Sequence, residues 1–350
     1  MGRTRTLAEV YRQFGEVDGT SPLYERVAAA LSESGEALRA IEAAPARKRQ
    51  PALILAALHD LALAGRAPAL AAAYAAGDGE AAARAATDTL VRMTDSIAAI
   101  AARRALRTNE NGRGAVLYPA IAEAARRAGA NTVGLIDLGR AAGLNLNVDR
   151  AGITYSNGQS LGDPASPVQL SCSIVAERPV PGTAIPEVVA RVGVDVDPLD
   201  VTDAEDARWL RACLPPERVA TLDAEMALAA TAPPVLVRGD AVEVLPDAIA
   251  AVPAEALPVV TTTWALSRFS LEARVRFLHR LDEVAARRPV AWVSAEGVGV
   301  APAIPTFGDR RASGHSIIGL AVFDGPAVHV ESAGRCWSRG RLLAWLADSR

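Results

Sequence analysis

The chain has 350 residues, of which 50% are apolar, 22% charged and 4% aromatic, with a formal net charge of −3. This composition excludes a disordered, collagen-like or disulfide-dense protein, and a chain of this length can bury a large core. Acidic and basic residues are interspersed without runs of like charge. We therefore expect no nucleic-acid partner and no membrane partner, and we predict a small-molecule substrate.

Lysine is almost absent: Lys48 is the single lysine among 37 basic residues. A P-loop, a protein kinase and a Schiff-base enzyme each need a lysine at the reacting centre. The composition therefore argues against these three classes.

Cysteine and histidine spacing gives no sign of a metal site or a disulfide framework. Cys172, Cys213 and Cys336 lie far apart, and the four histidines are scattered. No paired Cys/His spacing typical of zinc occurs, so we predict no metal. Because no apolar signal core and no span of about 18 apolar residues is present, we expect a cytoplasmic protein. The sequence does not indicate the oligomeric state.

Residues 1–130 are predicted to form an N-terminal helical region. Apolar residues recur there at three- and four-residue spacing, which is typical of amphipathic helices, and prolines and glycines separate the segments. The predicted helices cover 22–41, 51–64, 67–76, 79–106 and 114–128.

Residues 131–350 are predicted to form an α/β domain. Short β-type runs alternate with helical patterns over 203–230, 241–251 and 271–287, an order typical of a mostly parallel sheet with helices on both faces. We predict a Rossmann-like sheet of seven strands that ends in an antiparallel hairpin, and a β-hairpin insertion within 151–183, made of runs at 153–155 and 168–175. The predicted strands of the sheet are 132–137, 191–194, 235–237, 259–264, 290–294, 316–323 and 327–331.

Polar residues follow several predicted strands, where open parallel sheets bind their ligands. Asp137, Gly139 and Gly143 follow the first strand, and glycines let the backbone approach a ligand. Asp195 or Asp197, after the second strand, could accept hydrogen bonds from both hydroxyls of a ribose. Taken singly, each aspartate could instead cap a turn or a helix.

A third aspartate and a tryptophan complete this group. Asp240, after the third strand, could accept a hydrogen bond from the exocyclic amine of an adenine. Trp264, after the fourth strand, could stack on an adenine or on a positively charged sulfonium. Aspartates after three successive strands therefore indicate a nucleoside.

With these motifs, residues 130–335 resemble the class I S-adenosylmethionine-dependent methyltransferases. The stretches that carry the resemblance are Asp137-Leu-Gly139-Arg-Ala-Ala-Gly143, Asp195 or Asp197, Gly239-Asp240-Ala241 and the final hairpin. The resemblance implies S-adenosylmethionine as the cofactor. The cofactor-binding candidates are Asp137, Gly139, Gly143, Asn145, Asp195, Asp197, Asp240 and Trp264.

The sequence departs from the methyltransferase pattern at three places. Ala141 stands where that family has its middle glycine, and Arg140 stands where small residues are common. Thr262-Thr-Trp264 replaces the Asp/Asn-Pro-Pro motif of many amino-methylating relatives. We therefore do not expect methylation of nucleic-acid bases or of glutamine.

Catalytic and substrate-binding candidates come from several segments. Glu110 could bind a substrate amine or take a proton, or it could complete the first turn of a helix. His315 and Glu296 are the other catalytic candidates. His315 could instead be a solvated loop residue, and Glu296 could instead be a cap. Arg113 could hold a substrate carboxylate, and the remaining substrate-binding candidates are Asn109 and His59, of which His59 could also be a hydrogen-bonded core histidine.

More closely, the whole chain resembles an uncharacterised bacterial family, domain of unknown function 2332. That resemblance implies a methyltransferase-like fold without an established reaction. The matching stretches are Ser21-Pro-Leu-Tyr24, Arg49-Gln-Pro51, Ala57-Leu-His59, Thr108-Asn-Glu110, Gly112-Arg113, Ala142-Gly-Leu-Asn-Leu146, Asp197-Pro-Leu-Asp200, Trp209-Leu210, Trp292 and Glu296.

Three functional hypotheses follow from the sequence. The first is an S-adenosylmethionine-binding group transferase, most commonly a methyltransferase, that acts on a small metabolite. The second is a non-catalytic nucleoside-binding or protein-interaction module, suggested by Arg140 and Ala141. The third is a nicotinamide dehydrogenase, which would be expected to carry a Gly-x-Gly-x-x-Gly motif that this chain lacks.

Overall fold

The structure is a computed structural model that describes residues 5–17, 20–107, 112–139 and 142–348. The chain forms two compact units. The helical unit comprises Met1–Thr108 and Asp203–Asp223, and the sheet unit comprises Asn109–Thr202 and Ala224–Arg350.

Helices and strands account for most of the described chain. The α-helices are α1 (Leu7–Gly15), α2 (Pro22–Glu33), α3 (Gly35–Glu42), α4 (Pro51–Leu63), α5 (Pro68–Ala76), α6 (Gly79–Arg92), α7 (Thr94–Arg103), α8 (Arg113–Arg127), α9 (Ala204–Ala212), α10 (Val219–Ala230), α11 (Leu245–Ala250) and α12 (Leu271–Ala285). The strands are β1 (Thr132–Leu138), β2 (Gly152–Tyr155), β3 (Ser160–Gly162), β4 (Gln169–Ile174), β5 (Glu187–Asp195), β6 (Val235–Arg238), β7 (Leu257–Thr263), β8 (Val290–Gly297), β9 (Ser316–Asp324), β10 (Ala327–Trp337) and β11 (Leu342–Trp345). Short 3-10 helices cover Ala46–Lys48, Leu144–Arg150, Pro216–Arg218, Leu266–Arg268, Arg311–Ser313 and Ser338–Gly340.

Polar side chains cap the first turns of several helices in the helical unit, namely α1, α2, α3, α6 and α9. Thr6 and Glu9 form a capping box at the start of α1, a helix that the sequence patterns did not predict. The segment 22–41, predicted as one helix, is two helices, because Ser34 ends α2 and its hydroxyl accepts the Ala37 amide at the start of α3. The segment 79–106 is likewise divided, at Met93, where φ is −117° and ψ is 28°. Apolar periodicity continued through both breaks and could not reveal them.

Helix α4 is the core helix of the helical unit, since almost every residue from Pro51 to Ala62 is buried. Over the described ranges, no single helix combines the length and the apolar character that crossing a membrane requires. Helices α4 and α5 meet this requirement only as a pair, and they bend by 102° at their junction.

The sheet unit contains one eleven-stranded mixed sheet in the order β3-β2-β4-β11-β10-β9-β8-β7-β1-β5-β6. Strands β6, β5, β1, β7 and β8 are parallel, and β9 and β10 then follow as antiparallel neighbours. The α/β class and the seven predicted strands are therefore present, but the prediction of a seven-stranded, mostly parallel sheet was wrong. Four additional strands, β2, β3, β4 and β11, extend it.

Strand β11 explains why the sheet is larger than predicted. It pairs antiparallel with β10 and parallel with β4, so it joins the segment after residue 151 to the main sheet. The hairpin in that segment joins β2 to β3, whereas β4, predicted as the second arm, pairs parallel with β2. The sequence did not predict β3 and β11, which have three and four residues, because so short a run carries little alternation and its pairing depends on distant partners.

Two apolar layers cover the faces of the sheet. Alternate side chains of β1 point to opposite faces: Val133 and Leu135 pack with α8, whereas Ile136 and Leu138 pack with α11 and α12. This arrangement agrees with the prediction of helices on both faces of the sheet. Because β1, β5, β6, β7 and β8 are parallel, their carboxyl ends lie together along one edge of it. We call this edge, where β1, β5, β6, β7 and β8 end, the carboxyl edge.

Candidate functional site

The winding of the chain changes direction at β1. From β1 the chain adds β5 and β6 on one side, and it then adds β7 and β8 on the other side. Ligands of open α/β sheets bind in the crevice outside the carboxyl ends at such a switch point. The carboxyl edge around β1 is therefore the candidate site.

Asp137 lies at the centre of this edge and is 0% exposed. Its Oδ1 accepts a hydrogen bond of 2.9 Å from the Thr261 hydroxyl, and its Oδ2 accepts one of 2.9 Å from the Asn145 side-chain amide. Two of the predicted cofactor-binding residues, Asp137 and Asn145, are thus brought together. Through these bonds Asp137 attaches the 3-10 helix Leu144–Arg150 to β1 and β7.

Gly139 and Gly143 begin and end the turn after β1 with left-handed backbone, at φ +71° and φ +60°. A Cβ at Gly139 would lie 2.8 Å from Nη2 of Arg268, whose guanidinium donates to the Gly139 carbonyl at 2.6 Å. A Cβ at Gly143 would lie 3.0 Å from Cδ1 of Leu146. Both positions therefore favour glycine on conformational grounds, whereas the nearest atoms belong to the ends of flexible side chains that could move. Arg140 and Ala141 lie outside the described residues.

Asp195 ends β5 next to this turn and is 5% exposed. Leu138 pairs with Val194 in the β1–β5 register, so Asp137 and Asp195 each lie one residue from this pair. Asp195 Oδ1 accepts the backbone N–H of Asp197 at 2.9 Å. Asp197 accepts a hydrogen bond from the Arg238 guanidinium at 2.9 Å in a solvent-exposed ion pair.

Asp240 follows β6 and is exposed. Its Oδ1 accepts the backbone amides of Val242 at 2.9 Å and Glu243 at 3.3 Å, so it caps the turn that leads into α11. This is the alternative that the sequence left open for each aspartate. The cap occupies one carboxylate oxygen of Asp240, and the residue itself is exposed to solvent after the end of β6.

Glu296, at the end of β8, supports the turn after β7. It is 1% exposed, and its Oε1 accepts the backbone amides of Ala265 at 2.9 Å and Leu266 at 3.0 Å. The preceding residue, Trp264, has φ +51°, which is unusual for a bulky side chain. The Glu296 carboxylate therefore stabilises a strained turn at the carboxyl edge.

The Trp264 side chain links this turn to α8 and β9. Its indole N–H donates to the Ser316 hydroxyl at 2.8 Å. The guanidinium of Arg113, which is 3% exposed, lies 5.1 Å from the centroid of the Trp264 ring. A buried cation is thus brought to the predicted stacking residue, at a distance typical of a cation–π contact.

His315 lies just before β9, whose first residues pair with the last residues of β8, so it is also at the carboxyl edge. Its Nε2 is 2.7 Å from Asp309 Oδ2, and its Nδ1 is 3.3 Å from the Ser313 carbonyl oxygen. Asp309 also accepts two hydrogen bonds from the Arg335 guanidinium, at 2.6 and 2.9 Å. Both ring nitrogens of this catalytic candidate are therefore within hydrogen-bond distance of protein oxygens.

Asp309 is expected to make the folded state sensitive to acid. The hydrogen bonds from Arg335, opposed by partial desolvation and aided by His315, hold the pKa of Asp309 below its ordinary value. A lowered carboxyl pKa stabilises the fold above the ordinary pKa of aspartate, and this stabilisation is lost as the pH falls through the folded-state pKa. Asp309→Asn should therefore lower the melting temperature at neutral pH, and the difference from wild type should close at acid pH.

The measurement is a series of thermal melts from about pH 7 to about pH 2. Asp282→Asn is the matched control, because Asp282 is exposed on α12. A constant difference between Asp309→Asn and wild type over the whole series would contradict the assignment.

His59 lies in the helical unit, on α4, and is buried. Its Nδ1 is 3.0 Å from the Leu214 carbonyl oxygen and 3.4 Å from the Tyr24 hydroxyl. Burial lowers its pKa. The alternative left open by the sequence, a hydrogen-bonded core histidine, describes these contacts. The other predicted residues, Asn109 and Glu110, lie outside the described residues.

Sequence reasoning missed several residues that organise the edge. Thr261 donates a hydrogen bond to Asp137, and Arg268 donates one to the Gly139 carbonyl. Asp309 contacts His315 and accepts hydrogen bonds from Arg335. The run Thr261-Thr-Thr263 at a strand end was a visible signal, because hydroxyls are rare in a buried parallel strand. Arg268 and Arg335 carried no local signal.

The fold is that of an α/β protein with a large mixed sheet. At the switch point of this sheet, buried carboxylates lie beside Gly139 and Gly143. Neither a curated protein nor a solved structure matches the chain. The chain belongs to the bacterial family described as uncharacterized protein conserved in bacteria (DUF2332), whose model matches residues 8–345. The predicted family membership is thereby confirmed.

Proposed function

We propose that the carboxyl edge binds S-adenosylmethionine and that the protein transfers a group from it to a small metabolite. One observation carries the proposal: the buried carboxylates of Asp137 and Asp195 end neighbouring parallel strands beside the turn of Gly139 and Gly143. This turn lies at the switch point, where open α/β sheets bind nucleotide ligands.

The order of the parallel strands supports a methyltransferase-like fold. Strands β6-β5-β1-β7-β8 followed by the reversed β9 agree with the resemblance in the sequence, and β2, β3, β4 and β11 are additions beyond it. The proposal therefore places the cofactor over β1, β5 and β6.

The residues present fit an adenosine. Asp195 would accept the ribose hydroxyls, since a carboxylate has two acceptor oxygens, and Asp240 would accept the adenine amine. Asp137 would position the turn through Asn145. Trp264 and Arg113 would form the side of the site towards the substrate, where a buried guanidinium suits a substrate carboxylate. When bound, the cofactor supplies an electrophilic carbon next to its sulfonium.

The tasks of the chain in this proposal are to bind, orient and exclude water. Holding two reactants in line can account for a large part of a transfer rate, so a strong base is not required for every substrate. Glu110 is proposed as the group that binds a substrate amine or takes its proton.

A specific observation favours the second hypothesis, a nucleoside-binding module without catalysis. Glu296 accepts two backbone amides, and both ring nitrogens of His315 face protein oxygens. The two catalytic candidates that the structure describes therefore have structural partners. The two hypotheses differ in whether bound cofactor is consumed.

The deciding experiment is titration followed by a transfer assay. Calorimetry with S-adenosylmethionine and S-adenosylhomocysteine measures binding. The protein is then incubated with isotopically labelled S-adenosylmethionine and a bacterial metabolite extract, and mass spectrometry detects labelled products. Binding with transfer supports the transferase, binding without transfer supports the module, and no binding at millimolar cofactor excludes the transferase.

Asp195→Asn is expected to weaken S-adenosylmethionine binding about tenfold or more, because it replaces a charged acceptor that is worth about 1.5–3 kcal/mol. The side-chain amide oxygen of asparagine can still accept the Asp197 N–H, so the turn should persist. Asp163→Asn is the matched control, since Asp163 Oδ1 accepts the Ala165 N–H in the same kind of turn. Equal affinity of the Asp195 variant and wild type would remove Asp195 from the site.

A further inference from the structure

The helical unit contains a cavity of its own, of about 530 Å³. Residues of four α-helices and of the 3-10 helix Pro216–Arg218 form its wall, with Leu23 on α2, His59 on α4, Tyr74 on α5 and Val219 on α10. The volume is within the range of about 300–1,000 Å³ that is typical of small-molecule pockets. The cavity is therefore large enough for an organic metabolite.

The wall is mainly apolar and partly aromatic. Alanines and leucines of α2, α4 and α5 supply half of the lining residues, and the rings of His59 and Tyr74 meet edge to face at 5.4 Å between centroids. Such a wall suits a ligand with an apolar body, and aromatic faces attract organic cations.

Glu217 is the single charged side chain among the described residues that line the cavity, apart from the titratable His59. It is exposed, and it forms no ion pair with any described residue. Burial lowers the pKa of His59, so this ring contributes no positive charge at neutral pH. The cavity therefore presents a net negative charge to its occupant.

The Tyr74 hydroxyl provides a second, independent observation. Tyr74 is 6% exposed, and its hydroxyl is buried without a hydrogen-bond partner among the described residues. Burial raises the pKa of this hydroxyl, so it stays neutral. Buried polar groups in native proteins are almost always paired, and this unpaired hydroxyl belongs to a residue that lines the cavity.

We propose that this cavity binds a small organic cation, an amine with an apolar or aromatic body, whose ammonium group lies near Glu217. Charge complementarity selects the cation, and the apolar wall accommodates its body. This proposal does not depend on the proposed function of the carboxyl edge, because all the residues that carry it belong to the helical unit.

The test uses three probes with the same indole body and different charge: tryptamine, tryptophol and indolepropionate. Ligand-observed NMR and calorimetry on the full chain measure their affinities. Tryptamine should bind about fivefold more tightly than tryptophol, as expected for a partly exposed charge pair, and indolepropionate should bind most weakly. Binding of indolepropionate as tight as that of tryptamine, or no binding of any probe, would overturn the proposal.

Two substitutions localise the site. Glu217→Gln should reduce tryptamine affinity to that of tryptophol, whereas Glu33→Gln, an exposed position at the end of α2, should leave it unchanged. Ala75→Arg places a cation in the wall and should abolish tryptamine binding. Its control is Ala72→Arg, an exposed position on the same helix that does not line the cavity. Unchanged tryptamine affinity in both Glu217→Gln and Ala75→Arg would refute the assignment.

Discussion

Asp137→Ala should lower the free energy of unfolding by about 3 kcal/mol, and it should reduce S-adenosylmethionine affinity by at least about tenfold. The Asn145 amide would lose its Asp137 acceptor, and the Thr261 hydroxyl would keep only its longer bond, of 3.3 Å, to the Ile136 carbonyl oxygen. Asp137 is 0% exposed, so water does not replace the lost oxygens without local rearrangement. Urea denaturation and calorimetry measure the two effects.

Asp137→Asn is the informative companion variant. Its side-chain oxygen can still accept the Thr261 hydroxyl, and the Asn145 amide can turn so that its oxygen faces the new side-chain NH₂. We expect this variant to be more stable than Asp137→Ala and to keep part of the cofactor affinity. Full affinity in Asp137→Ala would show that Asp137 does not position the turn for a ligand.

Glu296→Ala should also destabilise the fold by about 3 kcal/mol, whereas Glu296→Gln should cost less than about 1 kcal/mol. The alanine variant leaves the amides of Ala265 and Leu266 without their acceptor, at a place where Trp264 already has left-handed backbone. Glutamine keeps an Oε1 that accepts both amides. Urea denaturation of the two variants gives the difference directly.

The same pair of variants separates a structural Glu296 from a catalytic one. If Glu296 is structural, Glu296→Gln should retain any transfer activity found with labelled S-adenosylmethionine. If Glu296 moves a proton, Glu296→Gln should fold normally and lose turnover by a factor of about 100 or more. Equal destabilisation by alanine and glutamine would contradict the role in the turn.

The two carboxylates illustrate how a predicted site residue can act by holding other protein groups in place. Asp137 and Glu296 lie near the carboxyl ends of β1 and β8, which β7 separates in the sheet. In the bonds described above, their oxygens accept hydrogen bonds from other protein groups. Such groups position turns for a ligand, and their effect on binding is then indirect. This is why the predicted losses in affinity accompany losses in stability.

Local patterns in the sequence determined the elements that surround the candidate site. The β-type runs predicted β1, β6, β7 and β8 to within three residues of their observed bounds, whereas the run at 191–194 covered only the second half of β5. A buried strand can be predicted in this way because a few consecutive residues carry its signal. The residue types at the ends of these strands could be identified equally well, since Asp137, Gly139 and Asp195 end or closely follow the β-type runs. The α/β class and the location of the candidate site at one edge follow from these signals.

Only the tertiary structure decided which groups are bonded to one another. Asp137 and Thr261 are separated by 124 positions in the chain, and His59 and Leu214 by 155, so spacing carries no information about either contact. The addition of β11, β4, β2 and β3 to the sheet likewise depends on pairing between distant short strands. Hydrophobic periodicity records which face of an element is buried, whereas the partner of a polar atom is fixed by strand register and packing. The acidic and polar character of the carboxyl edge could therefore be predicted from the sequence. The hydrogen bonds that fix its carboxylates, and the cavity beside His59, could not.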